Sequence, residues 1–169
     1  TPNRRLAVIA CNVTENGGDG VSTAGSIDVL LANSHFDANT LKGVDVNDLQ
    51  CPDNGTVSLH ASSCRWFGNG QSGLEADLAA APLASGSGTF LVRIDNCRFE
   101  LNGADGLLLD QEHEGQPGFS ADIEVRGSLA RGNRLAGVHV DADARGTVVL
   151  TDLRCTANAT DGVQVTSET

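Results

Sequence analysis

An asparagine followed four positions later by a glycine and then an aliphatic residue occurs six times in this chain, and no other feature restricts its fold as much. The copies are Asn16–Gly20–Val21, Asn39–Gly43–Val44, Asn69–Gly73–Leu74, Asn102–Gly106–Leu107, Asn133–Gly137–Val138 and Asn158–Gly162–Val163. The Asn-to-Gly spacing is constant, while successive glycines lie 23, 30, 33, 31 and 25 residues apart. A fixed motif in a period of this size marks a repeat architecture, in which each copy is one unit stacked on the next.

The residues upstream of each Asn fall into columns. Ten and eight positions before it stand Leu6/Val8, Val29/Leu31, Leu59/Ala61, Val92/Ile94, Ile123/Val125 and Val148/Leu150. Five before it stand Cys11, Ser34, Cys64, Cys97, Ser128 and Leu153, and three before it Val13, Phe36, Trp66, Phe99, Ala130 and Cys155. Period-two alternation, β-branched residues and interspersed Gly and Asn predict about three short strands per period. That describes one coil of a parallel solenoid, each strand pairing with its equivalent ~4.8 Å away in the next coil. Stacked asparagines then form an amide ladder, and each repeat Gly is expected to supply a turn with positive φ. Hexapeptide-type left-handed solenoids have shorter coils without such a ladder, which favours the right-handed form. The expected fold is therefore all-β, a right-handed parallel β-helix of about six coils forming a single domain over 1–169. Neither end reads as a cap, so the chain is expected to be a segment of a longer one.

Composition narrows the function. Asp and Glu outnumber Lys and Arg 22 to 11, giving a net charge of −11, and Lys42 is the only lysine. A surface this acidic repels phosphate backbones, and no apolar run approaches the ~20 residues of a membrane helix. Neither a nucleic-acid partner nor membrane insertion is expected.

Residues 92–109, Val-Arg-Ile-Asp-Asn-Cys-Arg-Phe-Glu-Leu-Asn-Gly-Ala-Asp-Gly-Leu-Leu-Leu, resemble the repeat of the right-handed parallel β-helix family, the pectate lyase and polygalacturonase superfamily. The resemblance runs over nearly all of residues 6–166. It implies a secreted or cell-surface setting and places catalytic groups on the outer face of the strand after the Asn-x-x-x-Gly turn. Asn158-Ala-Thr-Asp161-Gly resembles the Asn-Thr-Asp element of polygalacturonases, and Asn102-Gly-Ala-Asp105-Gly does so less closely. Their paired Asp-Asp, Gly-His-Gly and Arg-Ile-Lys elements are missing from the expected coils; Arg93-Ile-Asp95 imitates the last on another strand. The scaffold carries many functions, so the fold does not fix the activity.

On that outer face, the position before the Gly holds Asp19, Lys42, Ser72, Asp105, Ala136 and Asp161. Two after it stand Ser22, Asp45, Glu75, Leu108, His139 and Gln164; four after it stand Ala24, Asn47, Asp77, Asp110, Asp141 and Thr166. Stacked carboxylates ~5 Å apart repel, which raises some of their pKa values or recruits a cation. Asp45, Glu75, Asp77, Asp110 and Asp141 are the candidate Ca²⁺ ligands, since Ca²⁺ accepts six to eight oxygens in flexible geometry. Asp105, Asp110, His139 and Asp141 are the candidate acid–base residues for glycoside chemistry. A solvated face that keeps the solenoid soluble is the third use of such a stripe. For stacking against sugars only Phe67 and Phe119 are expected to face out.

Another outward column, nine before the Asn, reads Ala7, Leu30, His60, Arg93, Glu124 and Val149 and suggests surface ion pairs. The cysteines in columns are expected to be buried free thiols, whereas Cys51 fits no column and is the expected reactive or disulfide-forming one. Two functions follow from this reading. One is a non-catalytic β-helix module, structural, spacer or recognition, within a larger extracytoplasmic protein. The other is a carbohydrate-active enzyme, hydrolase, lyase or epimerase, or a fragment of one. A calcium-stabilised solenoid is a third expectation. The partners expected are a polysaccharide or adjacent domains of the same protein. Walls built by the longer insertions Leu78–Gly88 and Asp110–Ala121 over the acidic stripe would favour the enzyme.

Overall fold

The computed structural model describes residues 4–80, 86–112, 118–142 and 146–166. Among these are eighteen strands, β1 to β18 in chain order, three to a coil, and no helix. Sheet 1 stacks β1 (Arg4–Ile9), β4 (Ile27–Ala32), β7 (Gly55–Ser62), β10 (Gly88–Asp95), β13 (Phe119–Arg126) and β16 (Gly146–Thr151). Sheet 2 stacks six three-residue strands: β2 (Asn12–Thr14), β5 (His35–Asp37), β8 (Arg65–Phe67), β11 (Arg98–Glu100), β14 (Leu129–Arg131) and β17 (Arg154–Thr156). Sheet 3 stacks β3 (Val21–Gly25), β6 (Val44–Cys51), β9 (Leu74–Ala80), β12 (Leu107–Glu112), β15 (Val138–Asp141) and β18 (Val163–Thr166). Every pairing is parallel and brings equivalent repeat positions together, as Leu107 with Leu74 on one side and Val138 on the other. The register slips once per strand pair in the upper part of sheet 3, where Leu49 rather than Asp48 faces Leu78 and Asp48 takes φ 49°. That extra residue is a β-bulge.

The expected asparagine row is present. The backbone N–H and Nδ2 of Asn69 both donate to Asn102 Oδ1, at 3.2 and 3.0 Å, and those of Asn102 donate to Asn133 Oδ1, both at 3.0 Å. The same pair of bonds joins Asn16 to Asn39, Asn39 to Asn69 and Asn133 to Asn158. The second Nδ2 hydrogen turns to the preceding coil, as from Asn69 to Phe36 O at 2.9 Å. A buried amide is thereby satisfied on both sides, which removes the penalty of burying it.

The repeat glycines are needed for a different reason from the one expected. None of the six has positive φ; a Cβ on Gly106 would lie 2.5 Å from Gly137 O, 2.8 Å from Asn133 Nδ2 and 2.8 Å from Phe99 Cβ. Gly20, Gly43, Gly73, Gly106 and Gly137 are glycines because the next coil leaves no room. The left-handed corners fall one residue before each Asn, at Glu15, Ala38, Gly68, Leu101, Gly132 and Ala157, with φ between 53° and 67°. A second such column runs through Ala10, Asn33, Ser63, Asn96, Gly127 and Asp152.

Inside, Phe36, Trp66 and Phe99 stack with ring centroids 5.4 and 4.7 Å apart, fully buried, and the column narrows to Ala130. Offset ring contacts of this kind add ~0.5–1.5 kcal/mol each beyond area burial. The Ser/Cys column forms another ladder: Cys11 N–H donates to Ser34 Oγ and Cys97 N–H to Ser128 Oγ, both at 3.1 Å. The Ser34 and Cys64 N–H groups bond the thiols of Cys64 and Cys97 in the same way. Each hydroxyl or thiol also donates to the carbonyl two residues back, as Ser128 Oγ to Arg126 O at 2.8 Å. A small side chain with one donor and one acceptor satisfies the column, which is why Ser and Cys interchange there.

Three sequence expectations need correction. Phe119 is buried rather than outward, its ring lying where a Cβ on Gly88 would fall. Cys51 is fully buried at the end of β6, and burial pushes its thiol pKa up, so it is not a reactive site. Cys11 is exposed, because its coil has a described neighbour on one side only; Cys64 and Cys97 are buried as expected, and all five cysteines are free.

Candidate functional site

Sheet 3 presents its outer side chains by simple alternation: Leu74, Ala76 and Leu78 point into the core, so Glu75 and Asp77 point out. Register then sets the acids in rows. Asp110 pairs with Asp77 on one side and Asp141 on the other, and Asp45 pairs with Glu75. Carboxylates in such a row repel unless something neutralises them.

Lys42 does that for one pair. Its Nζ lies 2.8 Å from Asp45 Oδ1 and 2.7 Å from Glu75 Oε1, with all three side chains less than a fifth exposed. Burial works against the ammonium, but the hydrogen bonds to Asp45 and Glu75 and their charges outweigh it and raise the Lys42 pKa. Sequence reasoning placed Lys42 in the column before the Gly but did not join it to the acids. The signal was there: the only lysine sits three before Asp45, in the coil next to Glu75.

Among the described residues Asp77 has no ion pair of its own. Burial, and next the charge of Glu75, push its pKa from 3.8 up to about 6, against a smaller pull from Lys42 and with added pressure from Asp110 and Asp45. The carboxyl is therefore partly protonated near neutral pH. A group poised there suits general acid work.

Asp105 has a structural duty. It is 5 % exposed, and its Oδ1 accepts the Ala136 N–H of the next coil at 2.9 Å. Burial raises its pKa, while that N–H and the charge of His139 pull it down. Asp19 makes the same clip between the first two coils, its Oδ1 accepting the Lys42 N–H at 2.9 Å. His139 is half-buried on β15, opposite Leu108 and Gln164. Asp110 and Asp141 are half-buried in the acid row.

Of the five candidate calcium ligands, Asp45 and Glu75 are thus held by Lys42, and Asp77, Asp110 and Asp141 form one line. Among the described residues no three His, Cys, Asp or Glu side chains gather in a group able to hold a metal. The central parts of the insertions that were to wall the stripe, 81–85 and 113–117, lie outside the described residues. Of the two aromatic candidates, Phe67 faces out and is 40 % exposed, on sheet 2 rather than sheet 3.

Sheet 1 carries the other charged columns. His60 lies 3.4 Å from Asp95, Arg93 lies 3.9 Å from Glu124, and Arg126 also pairs with Glu124. Arg93 and Arg126 are more than half exposed, so these are surface ion pairs of ~0–1 kcal/mol each.

Three parallel six-stranded sheets wound around one core, with an asparagine row at one corner, define the parallel β-helix class. The chain belongs to the right-handed beta helix family, whose model matches residues 7–169. No curated protein and no solved structure matches it.

Proposed function

We propose that this β-helix is a non-catalytic module, a structural, spacer or recognition segment of a larger secreted or cell-surface protein. The observation that supports this is the use to which its outer polar groups are put. Asp105 and Asp19 clip adjacent coils through backbone N–H groups, and Lys42 ties Asp45 to Glu75 across coils. These side chains fasten the solenoid, a duty that needs no substrate. Polysaccharides and adjacent domains of the same protein are the partners that suit such a surface. Incubation with neutral and uronic polysaccharides, with and without calcium, should release no new reducing ends and no unsaturated product. Turnover that disappears in Asp110→Asn or Asp141→Asn would overturn the proposal.

A second reading has one observation in its favour. Asp77, raised to about 6 and in line with Asp110 and Asp141, has the protonation behaviour of a general acid. A carbohydrate-active enzyme of this form would lose activity in Asp77→Asn above all. The calcium-stabilised solenoid is weaker, since Lys42 already neutralises two of its five ligands; calorimetric titration with Ca²⁺ giving no heat and no thermal shift would end it.

A further inference from the structure

Sheet 2 inverts the charge balance of the chain. Against an overall twofold excess of acids, its strands carry Arg65, Arg98, Arg131 and Arg154 and only two acids, Asp37 and Glu100. The middle residue of each strand points inward, so these charges all face out. Arg65, Arg98 and Arg154 share one column with His35, and Arg131 stands in the other with Asp37, Phe67 and Glu100. Arg65 and Arg98 are ion-paired to Asp37 and Glu100. Arg131, Arg154 and, on the turn after β14, Arg134 are exposed and in no ion pair among the described residues.

Apolar side chains interleave with these cations. Phe67, Leu101 and Leu135 are 40 %, 55 % and 46 % exposed, on sheet 2 and the turn that follows it. The Arg65 guanidinium lies 5.7 Å from the Phe67 ring centroid. Leu101 reaches across to the next coil, its Cδ2 only 2.7 Å from where a Cβ on Gly132 would stand, beside Arg131.

We propose that this face docks an acidic protein segment, whose carboxylates meet Arg131, Arg134 and Arg154 and whose apolar side chains cover Phe67, Leu101 and Leu135. Guanidinium groups pair bidentately with carboxylates, and unpaired ones have that capacity free. Arginine beside aromatic and aliphatic groups is the composition of a protein interface. An acidic polysaccharide would match the charges but leave two exposed leucines uncovered. The surface lies on a different sheet from the acid row, so this proposal and the non-catalytic reading of sheet 3 stand or fall separately.

The test uses a labelled peptide of alternating glutamate and leucine, followed by fluorescence anisotropy at low salt. Binding is expected, weakened about tenfold or more by the double variant Arg131→Glu/Arg134→Glu and by added salt. Leu101→Ser/Leu135→Ser should weaken it about threefold or more while leaving the salt dependence in place, and Arg93→Glu on sheet 1 should leave it nearly unchanged. The milder Arg131→Gln/Arg134→Gln pair gives the same comparison if the charge reversal impairs folding. No binding at low salt, binding as tight as wild type by both arginine double variants, or polygalacturonate binding as tightly as the peptide would overturn the proposal.

Discussion

Two rows of like residues run along this solenoid at the same spacing, one inside and one outside. At the corner between sheets 2 and 3 six asparagines stack, and each of the four inner amides donates to the next and accepts from the last. On the outer face of sheet 3 Asp77, Asp110 and Asp141 stack in register, and there the charges of Glu75, Asp110 and Asp45 add to burial in making Asp77 harder to ionise. Stacking by parallel pairing multiplies whatever one residue does to its own copy. A self-complementary group gains from repetition; a charged one needs a proton or a counter-ion, and Lys42 is that counter-ion for the adjoining pair.

Exchanging the chemistry of the rows gives the largest effect. Asn102→Asp removes the Nδ2 donor to Asn133 Oδ1 and sets a carboxylate in a fully buried position. A loss of about 4 kcal/mol in chemical unfolding is expected, the scale of an uncompensated buried charge. Unchanged stability would remove the distinction between the rows. Gly106→Ala probes the space around the inner row: its Cβ would fall 2.5 Å from Gly137 O, a backbone atom that cannot swing aside. About 3 kcal/mol of destabilisation is expected from overpacking, again read from unfolding midpoints.

The outer row responds less. Lys42→Met leaves Asp45 and Glu75 facing each other, and about 2 kcal/mol should be lost at pH 7, between the values for exposed and buried pairs. The Lys42 pKa is raised above 10.5 in the fold, so its contribution is complete below about pH 10.5 and fades as pH climbs beyond that. Asp77→Asn should act in the opposite direction. A carboxyl whose pKa rises from 3.8 to about 6 on folding destabilises the fold when ionised. The wild-type chain therefore gains stability as pH falls from about 7 to about 4. The variant should be more stable by about 1 kcal/mol at pH 8, discounted for partial exposure, and no more stable at pH 4. Thermal melts at the two pH values check both the sign and the window.

Much of the fold was legible because its demands repeat. Asn, Gly and the inward aliphatic residues are fixed at every coil by the same contact, so a single sequence shows them six times. The left-handed corners were not legible. Leu101 and Ala157 adopt φ 56° and 55° although nothing in those residue types announces it, and tertiary pairing holds them there. The glycines were found for the wrong reason, since a close approach and a positive φ leave the same mark in a sequence. Outer-face alignment was also legible, as Asp77, Asp110 and Asp141 show. What each acid does was not, because Asp105 clips a backbone N–H and Glu75 meets Lys42 through contacts between coils rather than along the chain. Phe119 and Cys51 were misplaced for a related reason, lying at insertions where coil length changes and columns break.

The outer row as one electrostatic unit governed by Lys42 is tested most directly by NMR titration of the Asp77 carboxyl carbon in the wild-type chain and in Lys42→Met. The wild-type group should titrate near pH 6, and removing the Lys42 charge that pulls it down should move it higher. Titration near pH 4, or a midpoint that does not move when Lys42 is replaced, would contradict the account.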